Sequence, residues 1–62
     1  MENIKCLRAE KNLSQAAPAK AIGVSQKAVD YWERGVNEPK ASYIVLLADF
    51  FGVSADFLLG RE

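Results

Sequence analysis

The chain of 62 residues contains no histidine and a single cysteine, Cys6. An internal disulfide needs two cysteines, and zinc sites and histidine-based catalytic triads need side chains that this chain lacks. The chain also has no run of about 20 apolar residues and no charged-then-apolar leader. We therefore predict no disulfide, metal, cofactor, small-molecule ligand, membrane contact or enzymatic activity. We expect a cytoplasmic protein in which Cys6 is a small apolar filler of the first helix.

The chain also has no net charge, because eight basic residues are balanced by eight acidic ones. Nucleic-acid-binding modules are often clearly basic, so a net charge of zero argues against strong, non-specific attraction to phosphate. It does not exclude binding through a local distribution of charge, to which helix N-termini add partial positive charge. So short a chain predicts a single domain, over residues 1–62, with one small core.

The most informative stretch is residues 14–35, SQAAPAKAIGVSQKAVDYWERG, which reads as two short helices joined by a turn. Gly23 can adopt the positive φ that ends a helix, and Ser25 can accept a hydrogen bond from the first turn of the next one. Val29 and Trp32 share one face of this second helix, which predicts that the face is buried. Two helices with this spacing are typical of a helix-turn-helix, the unit that enters a DNA major groove.

Four segments of the chain, taken in order and spacing, resemble the Cro/repressor-type helix-turn-helix domains of phage repressors and their bacterial relatives. The segments are Leu13-Ser14-Gln15, AKAIGVS at 19–25, YWERG at 31–35 and GVSADFLLG at 52–60. The resemblance covers essentially the whole chain and implies an all-α, lambda-repressor-like fold of five helices. It departs from the family at Ala17-Pro18, where an acidic or polar residue followed by leucine is usual.

Periodicity and capping residues predict helices at about residues 3–11, 15–22, 26–34, 41–51 and 54–59. Asn12 is expected to end helix 1, and Ser14 is expected to cap helix 2. Pro18 would then be the fourth residue of helix 2 and would forfeit a hydrogen bond to the Ser14 carbonyl, so we expect a weak point that leucine would repair. Helix 4 carries a full core stripe, made of Ile44, Leu47, Ala48 and Phe51.

Base contacts are predicted for three side chains of helix 3, namely Gln26, Lys27 and Tyr31. Glutamine pairs with adenine, lysine pairs with guanine, and a tyrosine ring can lie against a thymine methyl group. Ser25 caps the helix beside them, and Ala28 is small enough not to obstruct the approach. The alternative for these residues is an ordinary solvated face.

The resemblance also implies contacts with the DNA backbone, from Gln15 in helix 2 and from Asn37 and Lys40 in the loop before helix 4. It further implies an ion pair between Arg8 and Glu33, which would link helix 1 to helix 3. Solvated side chains are the alternative for each of these five residues.

Together these features predict a sequence-specific DNA-binding transcriptional regulator of the repressor class that acts as a symmetric dimer on a palindromic operator. The family pairs through the region of helix 5, so Phe57 is a candidate for the dimer interface. Leu46 and Phe50 of helix 4 are further candidates, because they lie off the core stripe. The alternative function is a protein-interaction module that uses these three apolar side chains to bind a partner.

Overall fold

The computed structural model describes residues 2–61, so both ends of the predicted domain, residues 1 and 62, lie outside it. Over the described range the chain forms five α-helices and no strand. They are α1 (Glu2–Glu10), α2 (Ala16–Ile22), α3 (Gln26–Arg34), α4 (Ala41–Phe51) and α5 (Ala55–Leu58). The predicted all-α class is confirmed, and each predicted helix end is right to within one residue. No helix in residues 2–61 has the length and apolar character needed to span a bilayer.

One hydrophobic core joins the helices, and each of the five contributes to it. Its buried members are Ile4, Leu7, Ala19, Val29, Trp32, Leu47, Ala48, Phe51 and Leu58. Leu13, Val24 and Val53 pack against this core from the connections, each directly after the residue that ends a helix. The resulting body measures 26 × 23 × 18 Å along its principal axes.

Every helix ends in the same way, with a left-handed residue and a backbone hydrogen bond that reaches back five residues. After α1 the left-handed residue is Asn12 (φ 55°), and the N–H of Leu13 donates to the carbonyl of Arg8 at 2.9 Å. After α2 it is Gly23 (φ 80°), with the same pattern of bonds. This Schellman geometry satisfies carbonyls that the helix itself leaves unpaired. The predicted roles of Asn12 and Gly23 as helix ends are confirmed.

The start of α2 differs from the prediction. The helix begins at Ala16, and the residue before it, Gln15, has helical backbone angles and makes no side-chain cap hydrogen bond. Helical angles at Gln15 also suit a residue that directly follows a cap, so they do not exclude Ser14 from that role. The carbonyl of Ser14 accepts a hydrogen bond from the N–H of Ala17 at 3.2 Å.

Pro18 is the third residue of α2, and its side chain is fully buried. The helical acceptor for an N–H at position 18 would be the carbonyl of Ser14, four residues earlier. That carbonyl accepts from the N–H of Ala17 instead, so the missing N–H of proline does not leave it unpaired. The gain in stability expected from leucine at this position stays a prediction.

Cys6 is a second correction, because its side chain is exposed. The buried stripe of α1 consists of Ile4 and Leu7, three residues apart. Cys6 directly precedes Leu7 and is rotated by about 100° from it around the helix. It is therefore not the apolar filler that its residue type suggests.

Candidate nucleic-acid interface

Helix α3 is defined by its own residues at both ends. The side chain of Ser25 accepts a hydrogen bond from the N–H of Ala28 at 3.1 Å, which is the predicted cap. Gly35 ends the helix in the left-handed conformation. No acidic side chain lies in the first turn of α3, so the partial positive charge of its N-terminal N–H groups is not neutralised there.

The inner face of α3 fixes which side chains point outward. Val29 and Trp32 are buried, and the ring centroids of Trp32 and Tyr43 are 5.8 Å apart, which connects α3 to α4. The other face carries the polar residues. Gln26, Lys27 and Arg34 are exposed, and Asp30 and Tyr31 are half-buried.

Ala28 does not lie freely on this outer face. It is half-buried and packs against the core. A methyl group that is partly covered by the core does not obstruct the side chains beside it, and contact between Ala28 and DNA stays a prediction.

An ion pair between Arg8 and Glu33 joins α1 to α3. Arg8 Nε lies 2.6 Å from Glu33 Oε2, and Arg8 Nη2 donates to Glu33 Oε1 at 2.8 Å. The two side chains are only 16% and 4% exposed. Arg8 Nη1 also donates to the carbonyl of Leu13 at 2.9 Å. The hydrogen bonds to Glu33 raise the pKa of the Arg8 guanidinium above its ordinary value.

Gln15 extends this network from α3 to the start of α2. Its Nε2 donates to Asp30 Oδ1 at 3.1 Å and to Glu33 Oε1 at 3.3 Å. An amide nitrogen carries two hydrogens, so both are used within the protein. This differs from the expectation of a glutamine whose amide is free to donate to phosphate.

Asp30 and Arg34 are two polar residues of the outer face that were not among the predicted DNA-binding residues. Asp30 Oδ2 lies 3.1 Å from both Nε and Nη2 of Arg34, one helical turn later. The hydrogen bond from Gln15 is the main cause that lowers the pKa of the Asp30 carboxyl, and the positive charges of Arg34 and Lys27 add to it. Asp30 is therefore held as a carboxylate.

Tyr31 lies within cation–π distance of two positive side chains. Lys27 Nζ is 5.8 Å from the ring centroid, and Arg34 Cζ is 5.6 Å from it. The sequence contained a signal for Arg34, because it lies four residues after Asp30 and three after Tyr31 on one helical face. The prediction concentrated on the first turns of helix 3 and missed it.

Four side chains line an open concavity of about 330 Å³, namely Gln15, Gln26, Lys27 and Asp30. The structure thus brings together three of the predicted DNA-binding residues and one acid that was not predicted. Asn37 and Lys40 are not among the lining residues; they are exposed in the connection between α3 and α4.

The three predicted apolar interface residues, Leu46, Phe50 and Phe57, are all exposed. Val36, Val45 and Leu59 are exposed as well and were not predicted. The carbonyl of Phe57 accepts a hydrogen bond from the side chain of Asn3, which ties α5 to α1. The Phe50 ring packs edge-on against Phe51, with the centroids 5.0 Å apart.

The chain is similar in sequence to known proteins. A helix-turn-helix family model matches residues 4–58. The chain is 36% identical over 61 residues to the HTH-type transcriptional activator BcrR of Enterococcus faecalis, covering 98% of this chain and 30% of that protein. It is 36% identical over 58 residues to Repressor protein C2 of Salmonella phage P22, covering 94% of this chain and 27% of that protein. The chain therefore spans less than a third of the length of these two relatives.

The fold is similar to a solved structure over nearly its whole length. That structure is the P22 c2 repressor protein in complex with synthetic operator 9T in the presence of Tl+. The TM-score is 0.91 at 34% sequence identity, and the match covers 98% of this chain and 92% of that chain. Since the family model, the sequence relatives and the fold agree, the chain belongs to the helix-turn-helix family of the Cro/repressor type.

Proposed function

We propose that this chain is the sequence-specific, double-stranded-DNA-binding domain of a transcriptional regulator, and that α3 enters the major groove. The observation that carries the proposal is the orientation of α3. Val29 and Trp32 hold its inner face in the core, and Gln26, Lys27 and Tyr31 lie on its other side. A helix that is fixed in this way presents the same side chains to every duplex, which is the requirement for reading bases.

The outward groups match the chemistry of base edges. The Gln26 amide can pair with N6 and N7 of adenine, and the Lys27 ammonium with O6 and N7 of guanine. The Tyr31 ring supplies an apolar surface for a thymine methyl group. Ser25 and Ala28 would border these contacts at the start of the helix.

Contacts with the sugar-phosphate backbone would set the orientation of the domain. Asn37 and Lys40 are exposed after α3 and are suited to this role. Gln15 lines the concavity but already uses both amide hydrogens. Its bond to Glu33 is the longer of the two, at 3.3 Å, so we propose that this is the bond exchanged for a phosphate oxygen.

We further propose that the protein acts as a symmetric dimer through α5, with Phe57 at the interface and Leu46 and Phe50 as additional candidates. A two-fold arrangement would place two copies of α3 about 34 Å apart, one turn of DNA. Repression is the regulatory effect that we propose, because a small domain that occupies an operator blocks other proteins without needing a further activity.

The test is selection of bound duplexes from a random-sequence pool, followed by fluorescence anisotropy with the selected site and with a scrambled one. We expect enrichment of a short palindrome and tighter binding to it than to the scrambled duplex. Equal binding to both duplexes, or no binding to either, would contradict the proposal.

A protein-interaction module is the second candidate, and one observation favours it. Leu46, Phe50 and Phe57 leave apolar side chains exposed on α4 and α5. This function would be supported instead if the protein bound no duplex from the pool while Leu46→Ser abolished association with a protein partner.

A further inference from the structure

Asp30 is the one acidic side chain among the four that line the concavity, and the proposed DNA contacts do not account for it. A carboxylate repels phosphate, so an acid at this place weakens the general attraction between protein and DNA. Two neighbours nevertheless hold it there. Gln15 binds Oδ1 from α2, and Arg34 binds Oδ2 from the next turn of α3.

The Asp30 carboxylate retains capacity to accept a hydrogen bond. An ionised carboxylate offers about four acceptor positions. Gln15 uses one on Oδ1, and the Arg34 nitrogens Nε and Nη2 approach Oδ2. The side chain is 35% exposed and lines the concavity, so the carboxylate can still be reached from there. The lowered pKa of Asp30 means that this carboxylate acts as an acceptor and not as a donor.

Such an acceptor distinguishes the bases in the major groove. Cytosine N4 and adenine N6 carry amino groups that donate, whereas guanine O6, guanine N7 and thymine O4 accept. We propose that Asp30 is a specificity-determining residue, which accepts a hydrogen bond from the amino group of a cytosine or adenine and disfavours guanine, thymine and phosphate at the same place. This inference rests on the proposed function, since it requires α3 to lie in the major groove.

Fixation of the carboxylate makes the discrimination effective. A free aspartate would rotate away from a guanine or thymine oxygen at little cost. Asp30 is held from two sides by Gln15 and Arg34, so turning away would break bonds to both. The unfavourable approach of an acceptor base or a phosphate therefore persists.

The experiment compares Asp30→Asn with Asp49→Asn, each of which removes one negative charge. Asparagine keeps the size and one acceptor oxygen at position 30 and adds an amide donor that pairs with acceptor bases. Asp49 is exposed on α4 and does not line the concavity. Dissociation constants are measured by fluorescence anisotropy for the selected site and for a random-sequence duplex, at two salt concentrations. Selection from a random pool is then repeated with each variant.

For Asp30→Asn we expect tighter binding to the random duplex and a selected-to-random ratio that falls about fivefold or more. One position at which the unmodified protein selects adenine or cytosine should now also accept guanine or thymine. Asp49→Asn should change both affinities by the same factor and leave the selected sequence unchanged. An unchanged ratio and sequence for Asp30→Asn, or an equal loss of ratio in Asp49→Asn, would overturn the inference.

A second measurement compares two duplexes within each protein, so a folding defect that weakens binding to both duplexes equally cancels. In the selected site, the adenine or cytosine is replaced by the same base without its amino group, purine or pyrimidin-2-one. The unmodified protein should lose more affinity than Asp30→Asn on this replacement, and equal losses would contradict the role of Asp30. If the unmodified protein selects no site at all, the proposed function fails; if it selects one that Asp30→Asn reads identically, only this inference fails.

Discussion

A single carboxylate, Glu33, accepts hydrogen bonds from two other helical regions, from Arg8 of α1 and from Gln15 before α2. It is only 4% exposed, so solvent cannot replace a lost partner. Glu33→Gln removes the negative charge and leaves the Arg8 guanidinium largely buried without a counter-charge. We expect this variant to lose up to about 3–5 kcal/mol of unfolding free energy, measured by urea denaturation.

The matched control is Glu38→Gln, which removes the same charge from an exposed position in the connection before α4. Its midpoint of unfolding should stay close to that of the parent. A Glu33→Gln midpoint that equals the control would show that the ion pair with Arg8 does not support the fold.

Asn12 is the only residue other than glycine with positive φ in residues 2–61. A side chain in the left-handed conformation costs about 1–2 kcal/mol for most residues, and asparagine tolerates it better. We expect Asn12→Ala to lower the unfolding free energy by about 1 kcal/mol and Asn12→Gly to match or exceed the parent. Thermal unfolding of the three proteins checks this. Equal melting temperatures for alanine and glycine would mean that α1 ends differently in solution.

At the residue scale, the sequence predicted interactions between residues close together in the chain but not those between distant residues. Ser25 and Gly23 act on backbone groups within five residues, so their roles follow from the sequence around them. The partners of Gln15 lie 15 and 18 residues away and depend on how α2 crosses α3. Periodicity describes the faces of one helix and not the crossing of two, which is why the partners of Gln15 were not foreseen.

At the scale of elements, the proposed function assigns base contacts to α3 and backbone contacts to the connection after it, and mutations can distinguish the two. Gln26→Ala and Lys27→Ala remove proposed base contacts, so each should cost about 1–3 kcal/mol on the selected site and relax preference at one position. Lys40→Ala removes a proposed backbone contact and should weaken selected and random duplexes alike. Anisotropy titrations with both duplexes measure this. If Gln26→Ala and Lys27→Ala weaken binding to the selected and random duplexes by the same factor, the proposed base contacts are wrong.

The start of α2 shows how one backbone hydrogen bond changes an interpretation. The prediction assigned the bond that Pro18 cannot make to the carbonyl of Ser14, and in the structure the N–H of Ala17 donates to that carbonyl. This bond spans three residues instead of four, which tightens the first turn. The residue types at positions 14–18 do not indicate such a turn, so it was not foreseen.

At the scale of the whole molecule, the proposed dimer depends on an apolar side chain that the core does not cover. Phe57 is exposed on α5, next to the fully buried Leu58. Phe57→Ala should weaken self-association, and sedimentation with and without a palindromic duplex measures it. Val45→Ala, an exposed apolar position on α4, is the control and should sediment like the parent. If Phe57→Ala sediments like the parent in both conditions, pairing through α5 is wrong.

The size of the domain limits how many base pairs one copy can contact, and therefore how many DNA sites it can distinguish. Its longest axis is 26 Å, shorter than the spacing of about 34 Å between successive turns of the groove. If three side chains of α3 each specify one base pair, a single copy distinguishes about 64 sequences, or roughly 6 bits of information. Specifying one binding site among about 10⁶–10⁹ competing sites requires roughly 20–30 bits. Two copies that read a palindrome reach about 12 bits, so the rest must come from further base pairs, DNA shape or additional operators.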